Sequence, residues 1–123
     1  MPMILILDDS NTMILMLSQI LKTADYEIAT AINGVDGIDQ LNAGLKPAVI
    51  LTDLNMPEMD GIGFIKAARK LAGTKFTPII VLSGEADGRK RDEAKTAGAS
   101  GWLTKPPKPA QLLYVVKQLL PSA

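Results

Sequence analysis

Leu51-Thr52-Asp53-Leu54-Asn55-Met56-Pro57-Glu58-Met59-Asp60-Gly61 is the stretch on which the reading of this chain turns. It continues an apolar run, Ala48-Val49-Ile50-Leu51, that predicts a buried strand with Asp53 at its end. In an open α/β sheet, ligands bind at the carboxyl ends of the strands. Asp8 and Asp9 close the apolar run from Met3 to Leu7 in the same way. Ser83 closes a further run, Thr77-Pro78-Ile79-Ile80-Val81-Leu82, and Lys105 closes the last, Ser100-Gly101-Trp102-Leu103-Thr104. Four strand ends therefore bring three carboxylates, one hydroxyl and one ammonium to one edge of a sheet. That set suits a divalent cation and a phosphoryl group.

Working outward, the segments between these runs read as helices. Ser10-Asn11-Thr12 offers an N-cap, and Met13, Met16, Leu17, Ile20 and Leu21 form an amphipathic stripe. Tyr26 to Ala31 alternates, as a half-exposed edge strand does, and Asn33-Gly34 breaks it. Val35, Ile38 and Leu41 mark a short helix closed near Gly44 and Pro47. After Gly61, the apolar side of a helix carries Phe64, Ile65, Ala68, Leu71 and Ala72, with Gly73 as its end. Residues 87–97 read as a poorly amphipathic helix in which only Ala94 and Ala97 suit a core. Such a helix is expected to be the loosest of the set. Pro109 fits the first turn of a final helix with the stripe Leu112, Val115, Val116, Leu119 and Leu120. Five strands alternating with five helices imply a doubly wound parallel sheet with right-handed crossovers. The two half-polar strands belong at the edges and the three apolar ones inside. Strand order 2-1-3-4-5 satisfies both, and it is the order known for flavodoxin-like sheets.

The totals bound the chemistry. The 123 residues suffice for one domain, with 47% hydrophobic and 21% charged residues close to ordinary globular usage. The chain has no cysteine and no histidine, so disulfides, thiolate sites and imidazole bases or ligands are excluded. The apolar start meets Asp8-Asp9 too soon for a signal peptide, and no stretch approaches a membrane span. A cytoplasmic protein is expected. Net charge is zero, yet residues 1–60 hold nine acids against Lys22 and Lys46, while residues 61–123 hold eleven bases against four acids. Such asymmetry marks either a partner surface or solvated helix faces. It is no nucleic-acid footprint, because the bases are mixed with acids and lack interleaved aromatics.

The acid pair Asp8-Asp9, the loop Asp53…Met56-Pro57…Met59-Asp60-Gly61, Ser83 followed by Gly84, and Lys105-Pro106 stand together at the expected strand ends. With them the chain resembles the response-regulator receiver domain over essentially its whole length, residues 1–123, and most nearly the stand-alone chemotaxis regulators. The resemblance implies that Asp53 is the phosphoacceptor, supplied by the phosphohistidine of a histidine kinase or phosphotransfer domain. It implies Mg²⁺ as the cofactor, held by Asp9, Asp53 and the main-chain carbonyl of Asn55, with Asp8 reaching it through water. Lys105 would pair with the phosphate and Ser83 would hydrogen-bond it. Trp102 occupies the aromatic switch position, and Asn55 and Glu85 match the pattern that tunes loss of the phosphoryl group. The Lys105-Pro106 bond is usually cis in the family. Lys90, Arg91, Lys95, Lys108 and Lys117 lie in or near the expected docking face for an acidic or amphipathic segment of a downstream protein, of which the flagellar motor switch is one case. A monomer that binds neither nucleic acid nor membrane is expected. Departures at Pro107, Ile14 and the helix at 87–97 bear on the partner surfaces.

The chemistry fits. Three carboxylates within ~5 Å repel by several kcal/mol at an effective dielectric of ~20, and a hard cation with oxygen ligands relieves them. A carboxylate is already a nucleophile, so no general base is needed. At most the chain catalyses its own phosphorylation and dephosphorylation. Taken singly, Asp8-Asp9 also suits helix capping, Ser83 a turn and Lys105 a surface. An aspartyl-phosphate hydrolase of the haloacid-dehalogenase type shares a nucleophilic Asp, a hydroxyl, a lysine and Mg²⁺. It wants an acid where Asn55 stands. A flavodoxin-like cofactor binder wants a Ser/Thr/Gly-rich loop where Asp8-Asp9 stands. A receiver cut from a larger signalling protein and acting as a phosphate sink is the remaining alternative.

Overall fold

The computed structural model describes residues 2–84 and 88–120. Strands β1 (Met3–Leu7), β2 (Glu27–Ala31), β3 (Val49–Asp53), β4 (Ile79–Ser83) and β5 (Gly101–Thr104) pair in parallel, in the order β2-β1-β3-β4-β5. Between them run α1 (Asn11–Lys22), α2 (Gly34–Asn42), α3 (Gly61–Arg69), α4 (Gly88–Ala97) and α5 (Pro109–Leu119). This is the doubly wound, flavodoxin-like arrangement that the alternation of apolar runs and stripes implies.

Side-chain alternation builds two cores. Ile4 and Ile6 of β1 join Leu17, Leu21, Leu112 and Val116, the inward faces of α1 and α5. Leu5 and Leu7 point the other way, to Leu41, Phe64, Ile65, Ala68 and Ala94 of α2, α3 and α4. Both faces of β3 and β4 are buried throughout, which explains their unbroken apolar runs. The edge strands β2 and β5 are only part-buried. α4 contributes Ala94 as its one fully buried residue, with Ala97 packed at the margin. No helix among the described residues is long and apolar enough to cross a membrane.

Local chemistry sets the helix ends. The Ser10 side chain caps α1 by accepting the Met13 N–H at 3.2 Å. Asn33, which the sequence shows only as a break, caps α2 through the Asp36 N–H at 2.7 Å. Gly44 leaves α2 at φ +109°, a conformation costly to other residues. Asp60 caps α3 through the Gly63 N–H at 2.7 Å. One expectation needs correcting: α3 stops at Arg69, not near Gly73, and a 3₁₀ turn, Ala72–Thr74, follows. The Thr74 hydroxyl donates to the Ala68 carbonyl at 2.6 Å, taking the acceptor another helical turn would have used. Arg69 then spans the break, donating to the carbonyls of Thr74, Thr77 and Gly98 at 2.6 to 3.1 Å. Leu71 therefore packs from an extended backbone, and Ala72 is exposed.

Candidate phosphoryl and metal site

Register delivers the site. Leu7 lies opposite Thr52, so the next residues, Asp8 and Asp53, meet at the ends of β1 and β3. Asp53 lies opposite Leu82, which sets Ser83 one step beyond. Ser83 lies opposite Thr104, and the Lys105 N–H donates to the Ser83 carbonyl at 2.9 Å. The carboxylates of Asp8, Asp9 and Asp53 each offer an oxygen within 4.8 Å of the others. Lys105 Nζ bridges two of them, 2.7 Å from Asp8 Oδ2 and 3.3 Å from Asp53 Oδ1. The Lys105-Pro106 peptide bond is cis, as the resemblance implies.

Each acid sits differently. Asp8 is only 1% exposed, and its Oδ1 accepts the Ser10 N–H at 2.9 Å. The cap of α1 is Ser10, so the capping alternative for the acid pair does not describe Asp8. Asp9 is exposed. Asp53 is buried to 9% exposure, and its Oδ1 also accepts the Leu54 N–H at 2.7 Å. Among the described residues no donor engages Asp53 Oδ2. Burial pushes the Asp53 carboxyl above its ordinary range; Lys105 opposes that shift and Asp8 adds to it. Ser83 is buried at the end of β4. The arrangement is an acidic pocket of three carboxylates with the Lys105 ammonium between two of them.

The chain matches the response regulator receiver domain over residues 4–117. It belongs to that family. It is therefore a receiver of the two-component type, a signalling module rather than a conventional enzyme, and its acidic pocket fits phosphoryl acceptance. The structure of the chemotaxis response regulator CheY4 of Vibrio cholerae superposes with a TM-score of 0.91 and 39% identity, covering 98% of this chain and 99% of that one. Chemotaxis protein CheY1 of Helicobacter pylori is 34% identical over 104 residues, 84% of each chain. The transcriptional regulatory protein PrrA of Mycobacterium bovis is 32% identical over 97% of this chain, but the chain spans only 50% of PrrA's length.

Receiver domains bind Mg²⁺ in such a pocket, and the donors here fit it. All three are carboxylate oxygens, the hard ligands magnesium prefers. Metal–oxygen bonds of about 2.1 Å place ligand oxygens ~3 to ~4.2 Å apart, so oxygens within 4.8 Å need draw in only slightly. Asn55, two residues past Asp53, is exposed beside them.

The remaining candidates lie further off. Trp102 is half-buried on β5, packed toward the α2–α3–α4 core. Lys90, Arg91 and Lys95 lie exposed on α4, Lys108 caps α5 and Lys117 is in its last turn. Glu85 lies outside the described residues. Two features went unread in the sequence. Gly61 packs so closely against the end of β3 that a Cβ there would lie 2.3 Å from the Asp53 carbonyl oxygen. Lys105 pairs with Asp8 as well as Asp53, a contact between residues 97 positions apart that only the assembled sheet creates. The Asp60-Gly61 pair after Pro57 was visible as a helix start, but close approach leaves no signal in one sequence.

Proposed function

We propose that Asp53 accepts a phosphoryl group from a phosphohistidine of a histidine kinase or phosphotransfer domain, and that the phosphorylated receiver signals by protein contact in a chemotaxis-type pathway in the cytoplasm. The observation that supports this most is the Asp8–Asp9–Asp53 cluster with Lys105 bridging it. The Oδ2 of Asp53, which no donor engages among the described residues, attacks phosphorus as the P–N bond to histidine breaks. The bonding pair stays on the imidazole nitrogen, and a new acyl–phosphate bond forms on Asp53. Lys105 then shifts its charge from the carboxylates to the phosphoryl oxygens, and the Ser83 hydroxyl donates to one of them. Asp9, Asp53 and the Asn55 carbonyl would hold magnesium, with Asp8 reaching it through water, and the ion would offset the negative charge of the pocket and the incoming group. Asn55 and Glu85 tune loss of the phosphoryl group. Trp102 carries the change to the face of α4, β5 and α5, where Lys90, Arg91, Lys95, Lys108 and Lys117 meet a protein target such as a flagellar motor switch. Likeness to CheY4 across both full chains supports the chemotaxis reading. The half-length match to PrrA supports the receiver role alone.

The test is direct. Acetyl phosphate with Mg²⁺ adds about 80 Da, one phosphoryl group, and Asp53→Asn abolishes the adduct. An adduct that persists in that variant moves the acceptor elsewhere and ends this reading.

A further inference from the structure

Two of the magnesium ligands follow directly on strands, Asp9 after β1 and Asp53 at the end of β3, but Asn55 lies in the loop between β3 and α3. Among the described residues no hydrogen bond reaches Asn55. Its place therefore depends on how the rest of the loop is held. Within the loop, the Gly61 N–H donates to the Leu54 carbonyl at 2.9 Å and the Met59 N–H to the Pro57 carbonyl at 2.8 Å. Glu58 sits at φ +68°, a left-handed conformation that a side chain disfavours. Such backbone persists only where its surroundings hold it. Among the described residues, one hydrogen bond reaches residues 54–60 from elsewhere: the Gly34 N–H donates to the Met59 carbonyl at 3.0 Å. Gly34 is the first residue of α2, so its N–H has no partner inside the helix. The approach leaves no room for a side chain. A Cβ at Gly34 would lie 2.7 Å from the Met59 carbonyl oxygen and 2.6 Å from Met59 Cγ. On its other side Met59 meets α3, where a Cβ at Gly63 would come within 3.2 Å of the same Cγ.

We propose that Gly34 is a positioning residue for magnesium: its N–H and its missing side chain hold the β3–α3 loop where the Asn55 carbonyl can bind the ion. The proposal rests on the reading of the acidic pocket as a magnesium site, and it names what fixes the ligand that no strand fixes. An alanine at 34 displaces the Met59 backbone, and with it the turn through Glu58 and Pro57 back to Asn55. Magnesium registers such a shift because it demands near-ideal octahedral geometry at about 2.1 Å. Calcium registers it less, since it accepts irregular shells at about 2.3 to about 2.6 Å.

The test titrates Mg²⁺ and Ca²⁺ separately into the full, unphosphorylated chain by calorimetry. Gly34→Ala should weaken Mg²⁺ binding roughly tenfold, the usual scale for a residue that orients a ligand, and Ca²⁺ binding less than about threefold. Gly98→Ala is the control for lost stability. It strains a position at φ +119° against Arg69, before β5 and so at the opposite end of the sheet. Both affinities should there stay within about twofold, because distant sites act independently. Wild-type Mg²⁺ binding with no loss in Gly34→Ala, or with equal losses of both ions, overturns this proposal alone. A wild type that binds no Mg²⁺ overturns the magnesium site and the proposal with it. A second measurement needs no substitution. If the tether favours the metal, the metal favours the tether by the same factor. Saturating Mg²⁺ should then slow hydrogen exchange at the Gly34 amide several-fold more than at the Gly98 amide, and equal slowing overturns the proposal. Neither measurement uses a phosphodonor, so failure here is separate from failure of acetyl phosphate to label Asp53.

Discussion

Asp53→Asn should make the metal-free protein more stable, although it removes one end of an ion pair. Lys105 Nζ, 3.3 Å away, attracts the Asp53 charge by about 5 kcal/mol at an effective dielectric of ~20. Asp8, with an oxygen inside 4.8 Å, repels it by at least ~3.5 kcal/mol on the same scale. Asp9 is exposed, so its repulsion is screened to about 1 kcal/mol at a water-like dielectric. The charge terms nearly cancel. Burial of a carboxylate that is 9% exposed is then the deciding cost, and asparagine avoids it while still accepting the Leu54 N–H. The variant should gain about 1 kcal/mol in EDTA at neutral pH, the scale of relieving one poorly solvated polar group. In urea unfolding read by Trp102 emission, that is a midpoint roughly 0.5 M higher. The sign reverses with ligand. Magnesium at about a hundred times its dissociation constant adds ~2.7 kcal/mol to the wild type, and the variant, one charged ligand short, gains less. pH supplies a second check. Because the Asp53 pKa is raised above 3.8, the native state holds that proton longer than the unfolded chain does. Wild-type stability in EDTA therefore falls relative to the variant as pH rises from 3.8 through the raised value, and the gap closes below 3.8. A variant less stable than wild type in EDTA would refute the reasoning, since the Lys105 pair would then outweigh burial.

Further outcomes follow from the same geometry. Gly61→Ala sets a Cβ 2.3 Å from the Asp53 carbonyl oxygen, against backbone that cannot swing aside, and should cost about 3 kcal/mol in urea unfolding while weakening Mg²⁺ binding. A loss within experimental error would show that β3 yields there. Lys105→Met leaves Asp8, 1% exposed, without its cation; about 3 kcal/mol should be lost in EDTA and part of it regained with Mg²⁺, as calorimetry would show. Arg69→Leu abandons the carbonyls of Thr74, Thr77 and Gly98 and should lower stability by about 3 kcal/mol, with hydrogen exchange quickening at 74–77 and 98–100 before the sheet opens.

The reach of the sequence is uneven along the chain. β1 reads to the residue, because five apolar residues bounded by two aspartates leave one solution. β3 and Asp53 read as well, since a strand buried on both faces must be apolar until it leaves the sheet. Sequence periodicity makes α3 too long, because Leu71 is apolar at a helical spacing. What stops the helix is a bond from Thr74 and a guanidinium from Arg69, partners set by folding rather than periodicity. α2 hid its cap because Asn33-Gly34 is equally a turn signal.

The order of residue types alone determined that acids, a hydroxyl and a lysine close four strands, that two strands are edges, and hence the sheet order that gathers them. Only the packed molecule decided which oxygen meets which cation, how near Gly61 lies behind Asp53, and that the Arg91 guanidinium stands over the Trp102 ring. Hydrophobic periodicity is a local property of the chain, whereas distances of a few ångströms between residues tens of positions apart exist only once register and packing have closed the sheet.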